Sequence, residues 1–212
     1  MAARKKKNEM KIIGLAGKAG AGKDYVYETM DAALQTHKAI RRMAFGDGLK
    51  TDIEKALNDG RSMLPLWSKP YSHEVRSLLQ WWGTDFRRKE DVRYWIDNYG
   101  LPTLDRLRHA GTDVVCVTDV RFQNEVDALQ RLDGVVFEVV ASDEIRAGRL
   151  NISEQEQKAM SLHATEKGGL QNLNGVIDNN HYPIWPHSLN QYLGLSTGYQ
   201  PGQTDIRPSY GQ

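Results

Sequence analysis

Short apolar runs alternate along this chain with stretches in which apolar residues recur every three or four positions. Residues 11–16 (KIIGLA) are apolar almost without interruption, the pattern of a strand covered on both faces. A glycine-rich turn follows, then helical periodicity over 23–35. Residues 39–45 predict a second strand, ending at Gly46-Asp47-Gly48, and 51–57 a short helix. Gly60, Pro65 and Pro70 mark 59–71 as loop, and 72–99 is helical, rich in Trp and Arg, with a break expected near Gly83. Residues 114–118 (VVCVT) form the clearest buried strand, closed by Asp119. A helix over 124–132 ends at Gly134, and 135–140 returns as strand. The charged stretch 142–160 predicts a mobile helical segment, and 175–178 a last short strand.

Strands alternating with helices predict an α/β fold with a mainly parallel central sheet flanked by helices. No internal repeat or linker interrupts residues 11–180, which are expected to be one domain. Residues 1–10, with the basic cluster Arg4 to Lys7, predict a flexible start. Residues 181–212, rich in Pro, Gly, Ser, Gln and Tyr, predict a loosely attached tail.

Composition narrows the class. The 212 residues carry 28 Lys+Arg against 27 Asp+Glu, a net charge of +1, which speaks against a protein built to coat nucleic acid. No apolar run approaches the roughly 20 residues of a membrane span, and no apolar segment follows the basic N-terminus as in a secretory signal. The single cysteine, Cys116, sits in an apolar strand and reads as core. With the absence of disulfides it fits a reducing cytoplasm. The six histidines show no metal-ligand spacing, so zinc is not expected.

The chemistry begins in the glycine-rich turn, Gly17-Lys18-Ala19-Gly20-Ala21-Gly22-Lys23-Asp24, followed by Tyr25. It matches the phosphate-binding pattern G-x-x-x-x-G-K-[ST] at all fixed positions but the last. Glycines let successive amides curl around phosphate oxygens, the following helix aims its N-terminus at the same anion, and Lys23 reaches the terminal phosphates. Residues 17–25 are therefore the expected ATP phosphate site. Asp24 stands where a hydroxyl usually holds Mg²⁺; it either serves that cation as a hard oxygen ligand or is a helix-terminus carboxylate. Asp119 follows a strand at its carboxyl end, where ligands of parallel sheets collect, with Arg121 beside it. Asp119 is a candidate metal carboxylate or a helix cap. Arg121 is a candidate catalytic phosphate clamp or a surface arginine.

The glycine loop, AFGDGLK (44–50), SLLQWWGTDFRR (77–88), TDVRFQNE (118–125) and His163-Ala164-Thr165-Glu166 together resemble the bacteriophage deoxynucleoside monophosphate kinases. The resemblance spans residues 11–180 in order. It implies a P-loop kinase fold and Mg²⁺-assisted transfer of the ATP γ-phosphoryl group to a deoxynucleoside 5′-monophosphate, in a host cytoplasm if phage-encoded. A homodimer is compatible with it. By resemblance Asp47 and Lys50 line the acceptor pocket, Asp47 having a capping role as its rival. Gln80 and Arg88 match the acceptor motif, with Arg76 just before it. Trp81 beside Gln80 makes a base-recognition surface, although one of Trp81 and Trp82 must be core because adjacent helix positions point apart. Arg146 and Arg149, three apart, are expected catalytic arginines of a lid over about 142–160, or else part of a solvated charged helix. His163 and Glu166 match the family without an assigned role. Three other readings stay open: a dephospho-coenzyme A kinase-like enzyme, a nucleotide-binding module without turnover, and a nucleic-acid phosphotransferase hinted at only by the basic start.

Overall fold

A computed structural model describes residues 9–57, 64–68, 71–152, 168–196 and 199–200. Five strands form one parallel sheet: β1 (Lys11–Ala16), β2 (Ile40–Met43), β3 (Val114–Val120), β4 (Val135–Val140) and β5 (Gly175–Asp178), in the order β2-β3-β1-β4-β5. Parallel neighbours need crossover connections, and these carry the helices onto both faces. On one face α1 (Lys23–Leu34) lays Val26, Met30 and Leu34 over Ile13, Leu15 and Cys116. On the other, α6 (Gln123–Gln130) lays Val126 and Leu129 over Ile12, Val115 and Val136. Successive β1 residues Ile12 and Ile13 thus enter opposite cores, and both are fully buried. This is why the segment reads as continuously apolar. Because α1 follows β1 on one face and α6 follows neighbouring β3 on the other, a crevice opens at the carboxyl ends of β1 and β3.

Several helices depart from their predicted limits. The second, α2 (Phe45–Ala56), starts six residues before the expected 51, because Asp119 from β3 supplies the cap that local sequence does not. Gly48 thereby lies inside the helix, where a Cβ would meet the Tyr99 ring at 2.3 Å. The chain does not break at Gly83. Helix α3 (His73–Gln80) widens into a π-helical turn, Trp81–Phe86, and continues as α4 (Arg87–Glu90). Trp95 Nε1 donates to the Gly83 carbonyl at 2.9 Å across that widened turn. A second π turn, Ile96–Gly100, leads into α5 (Leu101–His109), which the sequence pattern does not signal. The charged segment gives α7 (Asp143–Leu150), capped by Ser142 and closed by Asn151 in the left-handed region.

Over the described residues from 181 to 196, with 199 and 200, the expectation of a loose tail needs correction. Helix α8 (His187–Leu193) buries Leu189 and Leu193 beside α1, and Trp185 is 2% exposed. Gly194, at φ 74°, ends the helix in the left-handed conformation glycine tolerates. Gln200 then returns to Trp185, accepting from its N–H at 2.9 Å and donating to its carbonyl at 3.1 Å. Composition rich in loop formers hid three apolar anchors. Trp185→Ala is expected to cost about 3–5 kcal/mol of unfolding free energy, measured by urea denaturation; a loosely attached tail would leave the transition unmoved.

Candidate active site

The glycine loop joins β1 to α1, and its shape is set by what presses on it. Gly17, Gly20 and Gly22 have φ of 131°, 76° and 87°. A Cβ on Gly17 would lie 2.3 Å from the Val139 carbonyl oxygen, one on Gly20 2.7 Å from the Arg146 carbonyl oxygen, and one on Gly22 2.3 Å from the Asn179 amide nitrogen. Both backbone angle and space demand glycine at these positions. The loop carbonyls all have donors. Lys23 Nζ donates to Gly17 and Lys18 oxygens at 2.7 and 3.0 Å. Arg146 Nε donates to the Ala19 oxygen at 2.9 Å, and Arg149 Nη1 to those of Gly20 and Ala21 at 3.3 and 3.2 Å. Asn179 Nδ2 donates to the Ala21 oxygen at 2.8 Å and that of Gly22 at 3.4 Å.

In front of the loop lies a cavity of about 700 Å³, bounded by Ala19, Gly20, Gly22, Lys23 and Asp24, by Arg42 and α2, and by Arg76, Arg121 and Arg149. Six cations and three carboxylates line it, so the balance suits a polyphosphate. Gly17, Lys18, Ala21 and Tyr25 do not face it. Tyr25 is half-buried near Tyr182, and burial pushes its hydroxyl pKa up. Asp24 and Asp47 are drawn together by Arg42, whose Nε lies 3.3 Å from Asp24 and whose Nη1 lies 2.9 Å from Asp47. Lys50 approaches Asp47 at 3.4 Å and sits over the Trp67 ring.

A side chamber of about 210 Å³ adjoins this cavity, with Gly46, Leu49, Tyr71, Arg76, Leu79, Asp119 and Arg121 common to both. Phe45, Gln80, Trp95, Phe122 and Arg88 complete its wall. At its base Arg88 is ion-paired with Glu125 and lies over the Phe122 ring, 4.0 Å from the centroid. The other Glu125 oxygen accepts from the Arg121 and Phe122 amides at 2.7 and 3.1 Å, reaching back over the start of α6. Burial raises the carboxyl pKa of Glu125, against the pull of Arg88.

The contacts revise or narrow four expected roles. Asp119 gives one oxygen to the Phe45 amide at 2.8 Å and the other to the Gly46 amide at 2.7 Å. These two bonds are those of the helix-cap alternative, Asp119 also lines both cavities, and burial raises its pKa against the two bonds. Arg146 faces neither cavity; it is 6% exposed, braced between Asp143 and the loop. In the segment expected as a lid, Arg146 therefore braces the glycine loop while Arg149 and Leu150 line the larger cavity. Trp81 is half exposed and stacks on Phe86, 5.5 Å between centroids, away from the chamber. The remaining lid residues to 160, with His163 and Glu166, lie outside the described residues, as does the basic cluster Arg4 to Lys7. Sequence reasoning missed Arg42, Trp95, Phe122 and Asn179. Arg42 and Asn179 sit at carboxyl ends of strands, so the rule that singled out Asp119 would also have found them.

The family model for phosphomevalonate kinase matches residues 15–134. The chain belongs to the phosphomevalonate kinase family. Within that family, the Drosophila melanogaster phosphomevalonate kinase is 27% identical over 123 residues, 55% of this chain and 58% of that protein. The chain thus spans less than two thirds of the length of this relative. A crystal structure from Thermus thermophilus superposes over 81% of this chain and 90% of its own, at a TM-score of 0.50 and 18% identity, a likeness of fold alone. The shikimate kinase of Aquifex aeolicus is more distant, at a TM-score of 0.40 and 11% identity over 79% of this chain and 85% of its own. The five-stranded parallel sheet flanked by helices, with the glycine loop between β1 and α1, is the α/β P-loop kinase fold that the motifs and the family match imply. The family matched is the phosphomevalonate kinase one rather than the bacteriophage one that the motifs resemble.

The buried pair at the chamber base yields a stability prediction. Glu125→Ala strands Arg88 and two amides and should cost about 3–5 kcal/mol, whereas Arg88→Met combined with Glu125→Leu should recover part of that loss. A thermodynamic cycle from denaturant titrations checks this; additive losses would mean the two residues are not coupled.

Proposed function

We propose that this chain transfers the terminal phosphoryl group of ATP to the phosphate of a small phosphomonoester, a deoxynucleoside 5′-monophosphate being the acceptor its cavity suits best. The observation that carries this reading is the junction of the two chambers. A cationic cavity in front of a glycine loop opens, past Arg76 and Arg121, into a recess walled by Phe45, Tyr71, Trp95 and Phe122 with the amide of Gln80. Flat rings offer stacking faces to a base, and an amide can read its edge.

In this reading the loop amides and the α1 N-terminus bind the ATP phosphates. Lys23 exchanges the Gly17 and Lys18 oxygens for the terminal phosphates, and Arg149 stands at the same cavity wall. Arg76 and Arg121, lining both chambers, hold the acceptor phosphate in line with the γ-phosphorus. An acceptor phosphate oxygen forms the new O–P bond, the bond from the γ-phosphorus to the β–γ bridging oxygen breaks, and ADP leaves with that electron pair. Hard oxygens of Asp24 and Asp47 on one cavity wall suit Mg²⁺ held mainly by phosphates and water. That ion supplies charge neutralisation for the triphosphate. Asp47 and Lys50 complete the wall.

A second reading, phosphomevalonate as acceptor, is supported by the family match. It shares the same bond-making step but has no flat group for the aromatic wall. A dephospho-coenzyme A kinase-like enzyme and a binding module without turnover are the remaining alternatives. ADP release with ATP, Mg²⁺ and a panel of deoxynucleoside monophosphates, ribonucleoside monophosphates, phosphomevalonate and dephospho-coenzyme A separates all of these. Turnover is expected with at least one deoxynucleotide and lost by orders of magnitude in Lys23→Ala. Turnover with phosphomevalonate alone would establish the second reading, and none with any acceptor would leave the binding module.

Asp24 gives an independent check. Asp24→Asn should raise the Mg²⁺ concentration for half-maximal rate, because a neutral amide binds a hard dication less well. Asp24→Ser should recover part of the shift. Superimposable Mg²⁺ titrations would leave Asp24 as a helix-terminus carboxylate only.

A further inference from the structure

Asn179 follows β5, outside the stretch matched to the family. It is fully buried. Its backbone is fixed on both sides: its N–H donates to the Val140 oxygen at 2.8 Å, and its carbonyl accepts from Arg149 Nη2 at 2.7 Å. The side chain reaches back under the glycine loop and donates to the Ala21 and Gly22 carbonyls. Two facing carbonyls leave no choice about which amide atom is the nitrogen. Its Oδ1 has no hydrogen-bond partner among the described residues. A buried amide with an unmatched acceptor costs roughly 1–3 kcal/mol, so stability alone is a poor reason for it.

What the amide does for the loop follows from peptide geometry. In a planar trans peptide the N–H of one residue points opposite to the carbonyl of the residue before it. Donors from α7 and β5 hold the carbonyls of Ala19, Gly20, Ala21 and Gly22 on one side. The Ala21 amide turns back to the Lys18 carbonyl at 3.2 Å, and the amides of Gly20, Gly22 and Lys23, residues that line the cavity, are turned to the other side. Gly22 is the pivot. Its φ of 87° sets the first turn of α1, and Asn179 occupies the space a Cβ there would need.

Resting on the phosphate-loop reading above, we infer that Asn179 is a positioning residue for the nucleotide phosphates. It orients the amides of Gly22 and Lys23 by holding the two preceding carbonyls from behind, and it touches neither nucleotide nor acceptor. Arg149, bonded to the Gly20 and Ala21 oxygens and to the Asn179 carbonyl, ties α7 to the same scaffold.

The test compares wild type with Asn179→Leu, which keeps the volume without a donor, and Asn179→Asp, which offers oxygens to the two carbonyls. Titration calorimetry with ADP and with inorganic tripolyphosphate reads phosphate binding directly, and steady-state rates read KM for ATP and for the acceptor found in the panel. Both variants should weaken ADP and tripolyphosphate alike, on the order of ten- to a hundredfold, with the acceptor KM unchanged. A melting temperature lowered with both ligands still bound normally would overturn the inference, as would equal changes in the two KM values. So would loss of ADP binding with tripolyphosphate unaffected. Wild-type protein that binds neither ligand would instead refute the phosphate-loop reading itself, and the role of Asn179 with it.

Discussion

Between Ala16 and Lys23 the chain must turn from strand to helix in a space already filled by other backbone. Val139 of β4, Arg146 of α7 and Asn179 after β5 each occupy a position where a side chain on the loop would begin. The loop therefore cannot take its shape from its own sequence alone. Glycines permit the conformation, and elements more than a hundred residues away select it. The sheet order makes this arrangement available: β4 lies directly beside β1, and β5 beside β4, so their carboxyl ends arrive behind the loop rather than at its mouth. The front stays open to the cavity while the back is solidly bonded.

A similar economy governs the side chamber. Asp119 at the end of β3 and Glu125 in the first turn of α6 are both buried; Asp119 gives both oxygens to amides at a helix start, and Glu125 gives one to amides and the other to Arg88. Burial alone disfavours their charged forms. Each is offset by several hydrogen bonds, and Glu125 also by Arg88. Such a pair is a weak source of net stability and a strong source of position. Asp119 fixes where α2 begins, so it sets the wall that carries Asp47 and Lys50. Glu125 fixes Arg88 beneath the chamber and anchors the Arg121 amide. Two carboxylates that were candidates for chemistry, or lay next to it, turn out to hold the groups that face the ligand space.

The strands were legible because a buried parallel sheet needs unbroken apolar runs, and VVCVT and KIIGLA have no other use. The loop was legible because phosphate binding imposes a spacing on glycine and lysine. Helix α2 was read short because its cap is Asp119, a residue brought in by tertiary structure. The π turn at Trp81–Phe86 was read as a break because Gly83 weakens a helix locally, whereas here it admits Leu49 and lends its carbonyl to Trp95. Arg146 and Arg149 looked like free lid arginines because charge spacing cannot reveal what a guanidinium will touch. Trp95 carried no signal for the chamber, since an aromatic residue in a helical stretch reads as core, and Phe122, just before α6, carried none either.

These parts divide the site into two functions that need not change together. In the proposed reading the loop, Lys23, Asn179 and Arg149 would serve the phosphates of the donor, whatever the acceptor carries behind its own phosphate. In the same reading the acceptor would enter the side chamber, whose rings and Gln80 stand more than ten residues from the loop in sequence. In that wall Phe45 and Trp95 are buried, and Tyr71 and Phe122 are half-buried. The family match runs from the loop to the end of α6 and so covers the loop and the side chamber but not Arg149 or Asn179. What a ligand leaves unsatisfied against the chamber wall is the quantity on which a choice between acceptors would turn.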